Sequence, residues 1–98
     1  MSAFVIVHSI IKDPEKMKIY GGSAPATVAA NGGEFYLRGK VDSVLTGEHR
    51  HENALVIRFP DQAAIQKWYN SPEYQALIPN RDEAADMIFI SCNEPPAS

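Results

Sequence analysis

A chain of 98 residues, 45% hydrophobic and 21% charged, has room for one compact domain and excludes a second. Twelve acidic against nine basic residues give a net charge of -3, the wrong sign for a nucleic-acid or anionic-membrane partner. Apolar runs end after four or five residues, far short of the roughly 20 that cross a bilayer, so no membrane partner is expected.

The opening Met1-Ser2-Ala3 leads into Phe4-Val5-Ile6-Val7 with no basic residue before it, which does not read as a secretory signal. The single cysteine, Cys92, cannot close an internal disulfide or build a zinc site alone. A cytoplasmic location is the expectation.

The β-branched and aromatic stretch Ala3 to Ile11 has the length of one strand. Asp13-Pro14 then pairs an N-cap with a first-turn proline, and Met17, Tyr20, Ala24 and Val28 keep helical spacing up to the stop at Asn31-Gly32-Gly33. Gly21-Gly22 and Pro25 weaken this helix, so a kink or short break is expected near Pro25. Glu34 to Leu45 reads as a second strand, or a strand with a bend, with Gly39 the expected place for a bulge. Thr46 to Asn53 is polar and reads as an exposed connection carrying His49 and His51. Ala54 to Phe59 is a strand stopped by Pro60, and Asp61 caps a helix with Ile65, Trp68 and Tyr69. Ser71-Pro72-Glu73 opens another helical turn through Tyr74, Leu77 and Ile78, and Asp86 to Asn93 is the last strand. One domain is therefore expected over residues 1–93, with 94–98 a short frayed tail.

The order strand, helix, strand, strand, helix, strand is the ferredoxin-like α+β plan, an antiparallel sheet with helices on one face. In the first strand Phe4, Ile6 and Ile10 point one way and Val5 and Val7 the other; both faces are also apolar in the third and last strands. A strand with water on one side alternates apolar and polar. The second face therefore calls for a cover, which a second copy of the chain supplies as a homodimeric α+β barrel.

His8, in phase with Phe4 and Ile6, is expected in or near the core, where it is the candidate general acid/base. The alternative is a core histidine satisfied by a carbonyl. Arg38 and Arg58 lie in strands and suit either a ligand carboxylate or an interface ion pair, Arg58 facing the second sheet face. Trp68, Tyr69, Ser71 and Tyr74, with Arg81 two helical turns beyond Tyr74, are candidate substrate-binding residues, because a pocket needs apolar walls and a few polar anchors. Core packing and a simple N-cap are the competing explanation. The spacing of His49, His51 and their neighbouring glutamates matches no metal-ligand pattern, so neither metal nor other cofactor is expected.

At Asp13-Pro14, Tyr20, Pro25, Gly32-Gly33, Arg38-Gly39, Phe59-Pro60 and above all Trp68-Tyr69-Asn70-Ser71-Pro72-Glu73-Tyr74 with Arg81, the sequence resembles the family called domain of unknown function 1330. The resemblance covers nearly all of the chain and implies a ferredoxin-like dimeric α+β barrel with no established activity. Lys40 stands where that family commonly has a second glycine, and Arg58 where an acidic residue usually precedes Phe-Pro. Two functions fit: a small-molecule-binding protein, with a pocket beside Trp68, Tyr74 and His8 and cofactor-free activity, or a non-catalytic structural or regulatory dimer. No nucleophile–base–orienter set decides for an enzyme.

Overall fold

The structure is a computed structural model that describes residues 2–95. Strand β1 (Ala3–Ile11) leads into helix α1 (Pro14–Ala29), then strands β2 (Glu34–Lys40) and β3 (Asn53–Phe59). Helices α2 (Gln62–Tyr69), α3 (Pro72–Gln75) and α4 (Ile78–Ala84) precede the last strand, β4 (Ala85–Asn93). The strands form one antiparallel sheet in the order β2-β3-β1-β4. The fold is ferredoxin-like, as expected.

Local chemistry sets the element ends. The Asp13 carboxylate accepts from the Glu15 and Lys16 amides at 3.1 and 3.3 Å, satisfying first-turn donors of α1. Asp61 does the same for α2 through the Ala64 amide at 2.8 Å. At the other end of α1, Gly32 takes φ 80° and the Gly33 amide donates to the Val28 carbonyl at 3.0 Å. A Cβ on Gly33 would lie 2.6 Å from the Phe59 ring and 2.7 Å from Val28, so only glycine fits there. Pro25 does not break α1, which runs as one helix of 16 residues. Its buried side chains Tyr20, Ala24 and Val28 pack on the sheet and hold the segment helical across the proline.

One sheet face carries the core. Val5, Val7, Ile57 and Phe59 point to the helices and pack against Tyr20, Val28, Ile65, Trp68 and Tyr74. The register places Phe4, Ile6 and His8 with Arg58, Val56 and Ala54 on the opposite face. Among the described residues no helix covers that face: Leu37 is 62% exposed and Ile88 and Ile90 are each 44% exposed.

Strand β2 departs from the expected course in two ways. It ends at Lys40, not Leu45, and only one further bond continues the pairing, from the Val41 amide to the Glu52 carbonyl at 2.8 Å. The bulge lies between Phe35 and Leu37, at Tyr36, while Gly39 pairs regularly with Ala54. Phe35 opposes Ile57 on the helix side, so the extra residue keeps that aromatic ring in the core while Leu37 and Tyr36 stay outside it. Glu94, expected to fray, is held at the end of the sheet by its amide bond to the Ser2 carbonyl at 3.0 Å. The remainder of the expected tail, residues 96–98, lies outside the described residues.

Candidate functional site

Between α1 and the sheet lies a cavity of about 410 Å³. Its walls follow from the pairing register. On the helix side, successive rows across the sheet read Phe35, Ile57, Val5, then Arg38, Leu55, Val7, Phe89, then Lys40, Asn53, Ser9, Met87. The cavity floor therefore changes from apolar to polar along the strands. Met17, Tyr20, Ala24 and Val28 of α1 form the roof, and Trp68 of α2 closes the apolar end. Trp68 is held by its indole N–H, which donates to Thr27 Oγ1 at 3.0 Å. Gly21 lines the roof, and a Cβ there would meet nothing within 4 Å.

Arg38 and Lys40 reach this cavity because of the bulge. Strict alternation puts Arg38 on the same face as Glu34 and Tyr36. With the extra residue Arg38 instead opposes Leu55 on the helix side, its guanidinium carbon 5.6 Å from the Phe35 ring centroid. Arg58 remains on the open face, 3.5 Å from the Glu94 carboxylate and 4.9 Å from the Tyr36 ring centroid.

Beyond the cavity roof the candidate residues of the second half form a buried hydrogen-bonded set. Arg81 Nη1 donates to Tyr69 Oη at 3.1 Å and to Tyr74 Oη at 3.2 Å. Tyr74 Oη in turn lies 2.7 Å from Tyr20 Oη. Nε and Nη2 of Arg81 meet Asp82 Oδ1 at 3.2 Å, so its donors serve internal partners. Burial pushes the Tyr20 and Tyr74 phenols up from their ordinary value; the Arg81 guanidinium partly opposes this at both. Ser71 is occupied locally: its Oγ donates to the Trp68 carbonyl at 2.7 Å and accepts from the Tyr74 amide at 3.2 Å, capping α3. The helical turn expected through Ile78 is instead the short helix α3, followed by a second, α4, from Ile78, and Tyr74 and Arg81 meet across the two.

His8 is placed elsewhere. It lies on the open face, so the sheet separates it from the cavity and from Trp68 and Tyr74. The anticipated pocket shared by the three residues does not form. His8 Nδ1 instead lies 3.3 Å from His49 Nε2 of the β2–β3 connection. Desolvation first, then the neighbouring His49 and His51, lower the His8 pKa. That connection is not uniformly exposed as expected: His51 is 6% exposed, its Nε2 3.5 Å from Asp86 Oδ1 without a hydrogen bond. Asp86 also pairs with Arg50. Among the described residues no group of three or more His, Cys, Asp or Glu side chains is placed to hold a metal ion.

Of the residues singled out in the sequence, the cavity lining contains Arg38 and Trp68 but not His8, Tyr69, Ser71, Tyr74 or Arg81. Tyr20, Lys40, Ser9 and Asn53 were not expected there. The polar ends of neighbouring strands were the available signal for the last three. The lining has no carboxylate, imidazole or thiol, and its ionisable side chains are Tyr20, Arg38 and Lys40. Such a cavity can enclose and desolvate an apolar body and meet a polar end at the rim.

A ferredoxin-like sheet backed by helices on one face, with a cavity between the layers, defines a small α+β protein of that fold class. The chain belongs to the domain of unknown function family DUF1330, whose model matches residues 2–93. No curated protein matches it in sequence. Among solved structures it is similar to RPA0582, a protein of unknown function from Rhodopseudomonas palustris (TM-score 0.80, 16% identity, covering 98% of this chain and 84% of that one). It is also similar to SnoaB, a cofactor-independent oxygenase from Streptomyces nogalater (TM-score 0.66, 9% identity, 98% and 95% covered). A third is a dimeric ferredoxin-like protein of unknown function from Jannaschia sp. CCS1 (TM-score 0.65, 16% identity, 96% and 100% covered). Among the described residues no helix is long and apolar enough to cross a membrane.

Proposed function

We propose that the chain binds a small, largely apolar organic molecule in the cavity between α1 and the sheet, as one half of a homodimer. The cavity carries this reading: at about 410 Å³ it falls within the range of small-molecule sites, and its walls are aromatic and aliphatic with few polar groups. The open sheet face, with Leu37, Ile88 and Ile90 exposed, supports pairing with a second copy. Cofactor-free turnover of the bound molecule is the activity to seek, since SnoaB, described as a cofactor-independent oxygenase, shares the fold.

Trp68 is the single tryptophan and lines the cavity, so its fluorescence reports occupancy. A library of small aromatic and aliphatic molecules is expected to contain members that shift this emission saturably. Gly21→Leu should weaken the response, because Gly21 lines the cavity and a side chain added there has no neighbour to displace. Replacing the helical glycine should also raise stability by about 0.5–1 kcal/mol. No saturable response across the library, or binding undiminished in G21L, refutes the reading and favours the non-catalytic structural module.

A further inference from the structure

The charge around the cavity is opposite to that of the chain. The protein carries a net charge of -3, yet the lining contains two cations and no Asp or Glu. Among the described residues neither Arg38 nor Lys40 forms an ion pair, although Arg50, Arg58, Arg81 and Lys16 all do. Both cations project from the edge strand β2, Lys40 in the row that also carries Asn53 and Ser9 and Arg38 one row further in, beside Leu55, Val7 and Phe89. The rest of the floor is Val7, Leu55, Ile57 and Phe89, with Phe35 beside the Arg38 guanidinium, and the far wall is Trp68. The cavity is thus polarised, cationic along its β2 edge and apolar toward Trp68.

Resting on the cavity reading above, we infer that the ligand is an amphiphilic anion. Its carboxylate, or a group of like charge, meets Arg38 and Lys40, and its apolar body extends under α1 toward Trp68. A cationic ligand meets two like charges at the rim, and a neutral one leaves both cations unpaired. An anion also loses little hydration, because Arg38 and Lys40 are exposed and its charged end stays close to water while the hydrocarbon is enclosed. Asn53 and Ser9 add neutral polar groups beside the charge. Exposed pairs are individually weak, so the two cations together give a preference near tenfold, not thousands.

The test compares 4-phenylbutyrate with its primary amide, which has nearly the same shape without the charge. Binding is followed by Trp68 fluorescence and by amide chemical shifts of β1, β2 and α1. The acid is expected to bind about tenfold more tightly than the amide, with a margin that narrows as sodium chloride is added. In the Arg38→Gln/Lys40→Gln double variant the two affinities should become equal; both positions are exposed, so thermal unfolding serves to check the fold. Equal affinities in the parent protein, or an acid preference that survives in the double variant, overturn the anion assignment while leaving the cavity as a binding site. If neither probe moves any cavity resonance, the binding reading fails and the anion assignment with it.

Discussion

Tyr74 is where the buried polar side chains of the helical layer converge. It is fully buried, accepts from Arg81 and shares a hydrogen bond with Tyr20. Tyr74→Phe keeps the ring but leaves Tyr20 Oη and one Arg81 bond without their partner, a loss of about 1–3 kcal/mol in urea or guanidinium unfolding. The same group makes stability fall at alkaline pH. Both phenols are raised in the folded state, so below about pH 10 folded and unfolded chains hold the same phenolic protons. Above it the unfolded chain releases them first, and stability declines by about 1.4 kcal/mol per pH unit for each tyrosine kept neutral. Unfolding curves from pH 8 to 11, chosen to bracket the ordinary tyrosine value of about 10, should show this slope, reduced in Y74F. The sequence made Tyr74 and Arg81 visible as a pair through their spacing. It did not reveal that Arg81 is engaged by two tyrosines and Asp82, since the tyrosines come from two other helices, α2 and α3. His8 departs from expectation for a related reason: it does share the face of Phe4 and Ile6, but both sheet faces are apolar, and phase alone does not say which one the helices cover.

At the scale of elements, caps were legible and the bulge was not. Asp13, Asp61 and Ser71 announce helix starts because a short polar side chain before a helical run has a definite backbone partner. In β2, Phe35, Tyr36 and Leu37 are three large apolar residues in succession, so either face accepts any of them and alternation loses its power to fix register. Gly39 drew the expectation of irregularity, yet it pairs normally because it is on an exposed strand with nothing crowding it. The junction from α1 to β2 is far less tolerant. Gly33→Ala places a methyl group against Phe59 and Val28 at distances under 3 Å. A loss of about 1–3 kcal/mol is expected from this overpacking, measurable as a lowered melting temperature. Unchanged stability would mean that α1 can lift away from β3 at no cost.

The whole molecule is a slab, with principal extents of 40 × 37 × 16 Å and a radius of gyration of 13.9 Å. A compact chain of this length has a radius near 13 Å, so the excess comes from flatness. One helical layer on one sheet gives that flatness and leaves the sheet's second side to water. Light scattering is therefore expected to report twice the chain mass, and Ile90→Lys, which puts a charge on the open face, should yield monomers. Parent protein that scatters as a monomer would refute the pairing.

The bulge at Tyr36 ties these scales together, because it decides which face of the sheet receives charge. With regular alternation the same residues would send Arg38 and Lys40 to the outer face and Leu37 into the cavity. In the proposed dimer, two cations would then confront their symmetry mates between paired sheets, where desolvation is severe, and the cavity would lose its cationic edge. One unpaired residue thus acts as a sorting device. In the proposed dimer with its proposed ligand, it separates the surface that meets the ligand from the surface that meets a second copy.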